Sequence, residues 1–329
     1  MVKKNTVKQN TKNIEEQTMP EGRQASKVES LVIFKCNCNC LMCSTGLQIK
    51  RNIGSADYHA VRPFEDVKKD IDRVKEMKAA GFAFSGGEPN LRRDLPELAA
   101  YAKKIGLSHI EVQSNGRVYA YKEYCRKLID SGVNNFVVSF HSHKPELADK
   151  IMGVPGTFKQ AFQGIKNLNE LGHKVKINIV MLELNYKQLE EHVKFLLKNF
   201  KIQEIRFTMV MLEGNAIDNT DIVAPMSKVA PYLCRAIDIV NNLTARRVQS
   251  FIYNMVPCLV PGHEIYINDL GPLGTLLIGP EFEAMLDESM KGKKIKAPVC
   301  QQCKYNSACH GVWRSYAELF GLTELKPVK

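Results

Sequence analysis

Ten cysteines stand in the 329 residues, and seven of them fall in two tight groups. Cys36, Cys38, Cys40 and Cys43 lie within eight residues, and Cys300, Cys303 and Cys309 within ten; Cys125, Cys234 and Cys258 stand apart. Thiols clustered this closely point to metal rather than to a disulfide framework. Three thiolates at the spacing Cys36-x3-Cys40-x2-Cys43 can hold three irons of a cubane and leave the fourth iron open to a small molecule. Cys38, between them, is badly placed to ligate at the same time and reads as a passenger. A structural zinc site is the alternative, with the weakness that no second Cys-x2-Cys lies nearby. A second feature, Gly86-Gly87-Glu88-Pro89, is by itself only turn chemistry, although paired glycines also let a ligand approach the backbone. Glu111 and Gln113 alternate on one strand, while His141 and His143 are equally readable as substrate-side groups or loop residues.

The elements around these residues alternate. Short apolar runs at 31–34, 82–85, 109–113, 135–141, 175–181 and 204–210 read as six strands. Helical patterns separate them: Val67, Ile71, Val74 and Met77 share one face, as do Phe158, Ala161, Phe162, Ile165 and Leu168, and then Leu189, Val193, Leu196 and Leu197. Asp94 with Glu97, and Thr157 with Gln160, have the spacing of capping boxes. Such alternation predicts an α/β fold with a parallel sheet and right-handed crossovers. The expected architecture is a partial (β/α)6 TIM-type barrel with a small Cys-rich C-terminal domain. Residues 1–29 read as a disordered tail, 30–210 as the barrel, 211–255 as a linking helix and strand, and 256–329 as the Cys-rich domain. That last segment is too poor in apolar periodicity for an ordinary core, so a metal staple is expected.

Composition narrows the class. Hydrophobic residues make up 44% and charged residues 25%, as in an ordinary globular protein. No run approaches the ~18 apolar residues of a membrane span. The polar N-terminus lacks the apolar core of a signal peptide, so a cytoplasmic location is expected. The net charge is 46 − 35 = +11. It divides as 6 − 4 = +2 over residues 1–29, 26 − 18 = +8 over 30–200 and 14 − 13 = +1 over 201–329, with no block marking a nucleic-acid arm.

Phe34-Lys35-Cys36-Asn37-Cys38-Asn39-Cys40-Leu41-Met42-Cys43 resembles the signature loop of the radical S-adenosylmethionine (radical SAM) superfamily. Gly86-Gly87-Glu88-Pro89 stands where that family carries its second motif. The likeness continues through Ser114-Asn115-Gly116, Ser139, His141 and Asn178. It implies a [4Fe–4S] cluster on Cys36, Cys40 and Cys43, reductive cleavage of S-adenosylmethionine to a 5′-deoxyadenosyl radical, and attack on a substrate C–H bond. It further implies that Gly86, Gly87, Glu88 and Pro89 meet the amino end of S-adenosylmethionine, with Asn115 nearby and Ser139 and Asn178 at the ribose. Where many relatives hold the carboxylate with an arginine, this chain offers Lys150.

Pro257-Cys258 and Cys300-x2-Cys303-x5-Cys309 resemble the SPASM/Twitch extension, which carries auxiliary clusters. Trp313 and Leu276 stand where further cysteines of the full pattern would be. The resemblance therefore implies one auxiliary [4Fe–4S] cluster on Cys258, Cys300, Cys303 and Cys309, with a zinc knuckle as the alternative. The reading that follows is an enzyme acting on a ribosomally made peptide or protein, with an electron donor such as a flavodoxin or ferredoxin. A sugar or aminocyclitol epimerase or dehydrogenase is the alternative, in which Cys234 is the candidate hydrogen donor. An RNA-modifying enzyme and a non-catalytic iron–sulfur carrier are weaker readings; no RNA-binding module is recognisable, and a carrier needs no open iron.

Overall fold

The computed structural model describes residues 26–46, 60–270 and 273–329. Its elements in chain order are β1 (Lys27–Ile33), α1 (Phe64–Glu76), β2 (Gly81–Gly86), α2 (Leu95–Lys104), β3 (His109–Ser114), α3 (Lys122–Asp130) and β4 (Asn135–Ser139). They continue with α4 (Pro145–Met152), α5 (Thr157–Glu170), β5 (Val175–Met181), α6 (Leu189–Asn199), β6 (Ile202–Met209), α7 (Met226–Thr244) and β7 (Gln249–Tyr253). The C-terminal part adds β8 (Thr275–Ile278), β9 (Glu283–Met285), α8 (Leu286–Lys291), β10 (Lys294–Ile295), β11 (Val312–Trp313) and α9 (Arg314–Phe320).

One sheet of nine strands runs in the order β7-β6-β5-β4-β3-β2-β1-β8-β9. Every pairing from β7 to β8 is parallel; only β8 and β9 are antiparallel. Helices cross over between successive parallel strands, as geometry requires. Alternate residues point to the helix side, where Val32, Phe82, Phe84, Ile110, Val112, Phe136, Ile177 and Phe207 are buried against faces such as Val67, Ile71 and Val74 of α1. The opposite set faces inward. Glu111 on β3 meets Lys27 on β1, Lys176 on β5 and Arg206 on β6. None of β1, β5 and β6 lies next to β3, so the sheet must curve until the side chains meet across its interior. The result is a partial TIM-type barrel with an open edge.

The structure departs from the sequence expectations in four places. β1 starts at Lys27, inside the segment expected to be a tail; residues 1–25 lie outside the described residues. The sheet does not stop at six strands: α7 is a crossover and β7 pairs in parallel with β6, so 211–255 continues the repeat. The C-terminal segment is not a separate layer, because β8 covers the free edge of β1; an unpaired edge strand would leave its backbone groups unsatisfied. Leu276 is thereby a fully buried strand residue opposite Val28. Neither expected capping box forms. Asp94 receives the Arg92 guanidinium instead. The N-terminus of α5 is capped from α4, where Asp149 accepts hydrogen bonds from Gly156 N (2.6 Å), Thr157 Oγ1 (2.7 Å) and Phe158 N (2.9 Å).

Candidate active site and cysteine-lined hollow

The cysteine loop leaves the C-terminal end of β1, the face on which such barrels build their sites. Cys36, Cys40 and Cys43 are half-buried, whereas Cys38 is buried. The Cys38 thiol nonetheless lies among the others, in hydrogen-bonding contact with the thiols of Cys36 and Cys40.

Four segments brace this loop, all from the same end of the barrel. After β2, Gly87 N donates to Ile33 O (2.6 Å) and Glu88 N to Lys35 O (2.8 Å). Gly86 has φ +116°, and a Cβ on Gly87 would sit 2.3 Å from Lys35 O, so both positions need glycine for the chain to pass. After β3, Asn115 Nδ2 donates to Asn37 Oδ1 (2.7 Å), and Arg117 Nη1 donates to Asn37 O. At the end of α4, Asn39 N donates to Met152 O and Leu41 N to Ile151 O, both at 3.0 Å, and Cys40 Sγ lies 3.6 Å from Met152 Sδ. After β6, Asn215 donates through Nδ2 to Cys40 O (2.8 Å) and through its backbone to Cys43 O (2.9 Å). Arg117 and Asn215 are the residues that sequence reading missed. Arg117 stood one place beyond Ser114-Asn115-Gly116, and Asn215 lay where the strand rhythm had just broken.

Glu88 is fully buried. Its carboxylate accepts from Asn90 N (3.1 Å), Asn90 Nδ2 (2.5 Å), Ser114 Oγ (2.9 Å) and Asn115 N (2.8 Å). Burial raises its pKa and these donors oppose the rise. Its visible task is to tie the turn after β2 to the turn after β3. Pro89 follows as the first residue of a 3-10 turn in which Pro89 and Asn90 are buried.

Ser139 and Asn178 are register partners on β4 and β5, and Asn178 Oδ1 accepts from Thr208 Oγ1 (3.0 Å). Both are half-buried although they face the interior, as are Gln113, Arg206, Thr208 and Tyr253, so water reaches the polar lumen. Below them the barrel is closed by the Glu111 network. Although burial opposes its ionisation, Lys27, His109, Arg206 and Lys176 hold the Glu111 carboxyl well below the usual range.

The remaining expected residues are placed differently. Lys150 is exposed on α4, while its neighbours Ile151 and Met152 turn to the cysteine loop. His141 is buried, with Nδ1 accepting from Val180 N (3.1 Å) and burial lowering its pKa to about 4; it joins β4 to β5. Cys125 is buried on α3 and donates to Tyr119 O (3.2 Å). Cys234 lies on α7, the outer-layer crossover between β6 and β7, where burial pushes its thiol up to about 11. The helix expected to link the barrel to the Cys-rich part, with the candidate hydrogen donor Cys234, is packed on the outside of the barrel, because a crossover helix must cover the sheet.

Cys258, Cys300, Cys303 and Cys309 line one hollow in the C-terminal part, together with Lys296, Tyr305, Leu325 and Lys326. Gly311 N donates to Cys309 Sγ and Val328 N to Cys303 Sγ, each at 3.3 Å; the backbone of Lys326 bonds Cys258. Among the described residues no group of three or more His, Cys, Asp or Glu is gathered tightly enough for a single metal ion. Trp313 packs with its Nε1 on Asn254 Oδ1 (3.2 Å) and Lys294 over its ring. No helix among the described residues is long and apolar enough to cross a membrane.

A family model described as Radical SAM superfamily matches residues 30–196. A protein named probable GTP 3′,8-cyclase from Pyrobaculum aerophilum is 31% identical over 165 residues, which cover 49% of this chain and 49% of that protein. The chain spans about half the length of the curated relatives it matches. Among solved structures, Streptococcus suis SuiB bound to S-adenosylmethionine aligns with TM-score 0.65 and 15% identity, over 92% of this chain and 76% of that one. The structure titled native anSMEcpe with bound AdoMet and Cp18Cys peptide aligns with TM-score 0.58 and 17% identity, over 88% of each chain. These two likenesses are of fold.

Proposed function

The chain belongs to the Radical SAM superfamily, and from that premise we propose that it is an enzyme that activates a substrate C–H bond, acting on a peptide or protein. The observation that carries the chemistry is the loop at the C-terminal end of β1, braced from four segments, on which Cys36, Cys40 and Cys43 are all half-buried. Cys36, Cys40 and Cys43 would hold a [4Fe–4S] cluster. When bound, that cluster and S-adenosylmethionine supply the electron and the 5′-deoxyadenosyl group that abstracts hydrogen.

The chain's own residues do the positioning. Gly86 and Gly87 leave the backbone after β2 bare, so the turn Gly86–Pro89 can take the amino end of S-adenosylmethionine. Glu88 keeps that turn rigid from beneath rather than meeting the ligand with its carboxylate. Asn115, already aimed at the cysteine loop, borders the same space. Ser139 and Asn178, side by side on the inner face, would hold the ribose. Lys150 would need to swing from the surface of α4 to reach a carboxylate.

Cys258, Cys300, Cys303 and Cys309 would hold one auxiliary [4Fe–4S] cluster. Support comes from their common hollow and from the backbone N–H groups on Cys303 and Cys309, the kind of donor that tunes cluster sulfurs. The peptide or protein substrate is favoured by the fold shared along most of the chain with a structure whose title records a bound peptide. A small-molecule substrate is the second reading, favoured by the curated relative named for acting on GTP. An electron donor of the flavodoxin or ferredoxin type completes the scheme.

Anaerobic, dithionite-reduced protein should convert S-adenosylmethionine to 5′-deoxyadenosine and methionine. The triple variant Cys36→Ala/Cys40→Ala/Cys43→Ala should not. S-adenosylhomocysteine as the main product would indicate methyl transfer and sink the reading. Peptide pools, nucleotides and tetrapyrroles added separately discriminate the substrate class by which of them accelerates 5′-deoxyadenosine formation.

A further inference from the structure

Arg117 has no part in the motifs, yet it reaches into the cysteine loop from the end of β3. Its Nη1 donates to Asn37 O and lies 3.8 Å from Cys38 Sγ. Its Nε donates to Gln160 Oε1 on α5 (2.6 Å). Its backbone N donates to Asn115 Oδ1 (3.0 Å), and Asn115 Nδ2 in turn lies 2.7 Å from Asn37 Oδ1 and 3.9 Å from Cys36 Sγ. Asn37 is thus clamped on both sides, by Arg117 at its carbonyl and by Asn115 at its side chain. Gln160 fixes the guanidinium plane from a different helix. Among the described residues Arg117 makes no ion pair, so its charge is not neutralised locally by a carboxylate.

We propose that Arg117 is a positioning residue for the cysteine loop: it fixes the stretch Cys36–Cys38 and sets a permanent cation within the loop, at Asn37 O and 3.8 Å from Cys38 Sγ, raising the reduction potential of the cluster held there. The inference rests on the cluster assignment made above. The physical grounds are general. A cluster ligated by thiolates is anionic, and each electron added makes it more so. A fixed positive charge and N–H donors near the sulfurs favour the reduced form. Guanidinium is suited to this because it stays charged and spends its separate donors on separate partners. The bond to Gln160 keeps the charge in place, so the potential depends on α5 as well as on the loop.

The test uses reconstituted full-length protein and reads the midpoint potential of the cluster whose electron paramagnetic resonance signal changes when S-adenosylmethionine is added. That criterion separates it from any auxiliary cluster. Arg117→Met should shift the midpoint to more negative potential. Arg117→Lys keeps a cation and should restore most of the shift. Gln160→Leu should move the midpoint in the same direction as Arg117→Met but by less, and it reports even where Arg117→Met loses iron. Equal midpoints in wild type, Arg117→Met and Gln160→Leu would overturn the proposal while leaving the enzyme assignment intact. A wild-type protein with no S-adenosylmethionine-responsive cluster would overturn the assignment beneath it, and the proposal with it.

Discussion

At the scale of single residues, the two glycines after β2 show how a motif serves two ends. Resemblance assigned Gly86 and Gly87 to a ligand. The structure supplies a nearer reason: the Lys35 and Ile33 carbonyls leave no room for a Cβ. Gly87→Val must therefore push the turn off the cysteine loop, breaking the bonds Gly87 N–Ile33 O and Glu88 N–Lys35 O. Loss of iron from the S-adenosylmethionine-responsive cluster is expected along with loss of activity. Iron assay on the anaerobically reconstituted variant checks this; full iron content with low activity would show that Gly87 serves the ligand alone. Glu88 carries a similar lesson. Its type and place were legible in the sequence, but the four donors that occupy it come from residues 90, 114 and 115, and only the fold brings them to it.

At the scale of elements, the buried histidines at the end of β4 tie strand to strand and strand to helix. His141 Nδ1 accepts from β5, and His192 Nε2 on α6 pairs with Phe140 O (2.9 Å). Burial lowers their pKa values to about 4 and about 3. The ordinary histidine value is about 6.5. Below that pH the unfolded chain takes up protons that the folded chain refuses. Stability is therefore fully present above about pH 6.5 and is lost as pH falls towards the folded values. At pH 5 the loss amounts to at most about 2 kcal/mol per histidine. Urea unfolding of the wild type should weaken markedly between pH 7 and pH 5, and His141→Gln/His192→Gln should flatten that slope. Parallel slopes in the two proteins would remove the histidines as the cause. The helix faces at these elements were readable from spacing, since Leu189, Val193 and Leu196 are buried as the period requires. The caps were not, because Asp149 reaches α5 from another helix and carries no local signal.

At the scale of the whole molecule, the C-terminal part is joined to the barrel by hydrogen bonds as well as by chain connection. β8 extends the sheet at β1, and the buried pair Lys294–Asp269 (2.9 Å) sits where Trp313 meets Asn254, the residue just after β7. The hollow lined by the four cysteines is thus mounted on the same sheet that carries the first loop. If both thiol sets hold clusters, reconstituted wild type contains about eight irons per chain. Cys300→Ala/Cys303→Ala should then lose about half of them and keep the S-adenosylmethionine-responsive signal. Zinc in place of that second half, after anaerobic reconstitution, would assign the hollow to a structural ion.

The residue types and spacings by themselves determined the family and the kind of fold: the cysteine loop, a glycine turn one strand later, and six strands separated by helices. These are local properties, written in composition and in periods of two and about four residues. Tertiary structure decided what no local window contains. It carried the sheet past six strands, because the edges of β6 and β1 needed partners that 249–253 and 275–278 provide. It put Cys234 on the outer layer, because the helix between two parallel strands must cover the sheet. It brought Arg117, Asn215 and the end of α4 onto one loop, because the curvature of the barrel gathers the C-terminal ends of its strands, and hydrogen bonds between residues eighty or more positions apart leave no trace in sequence until the backbone has closed the distance.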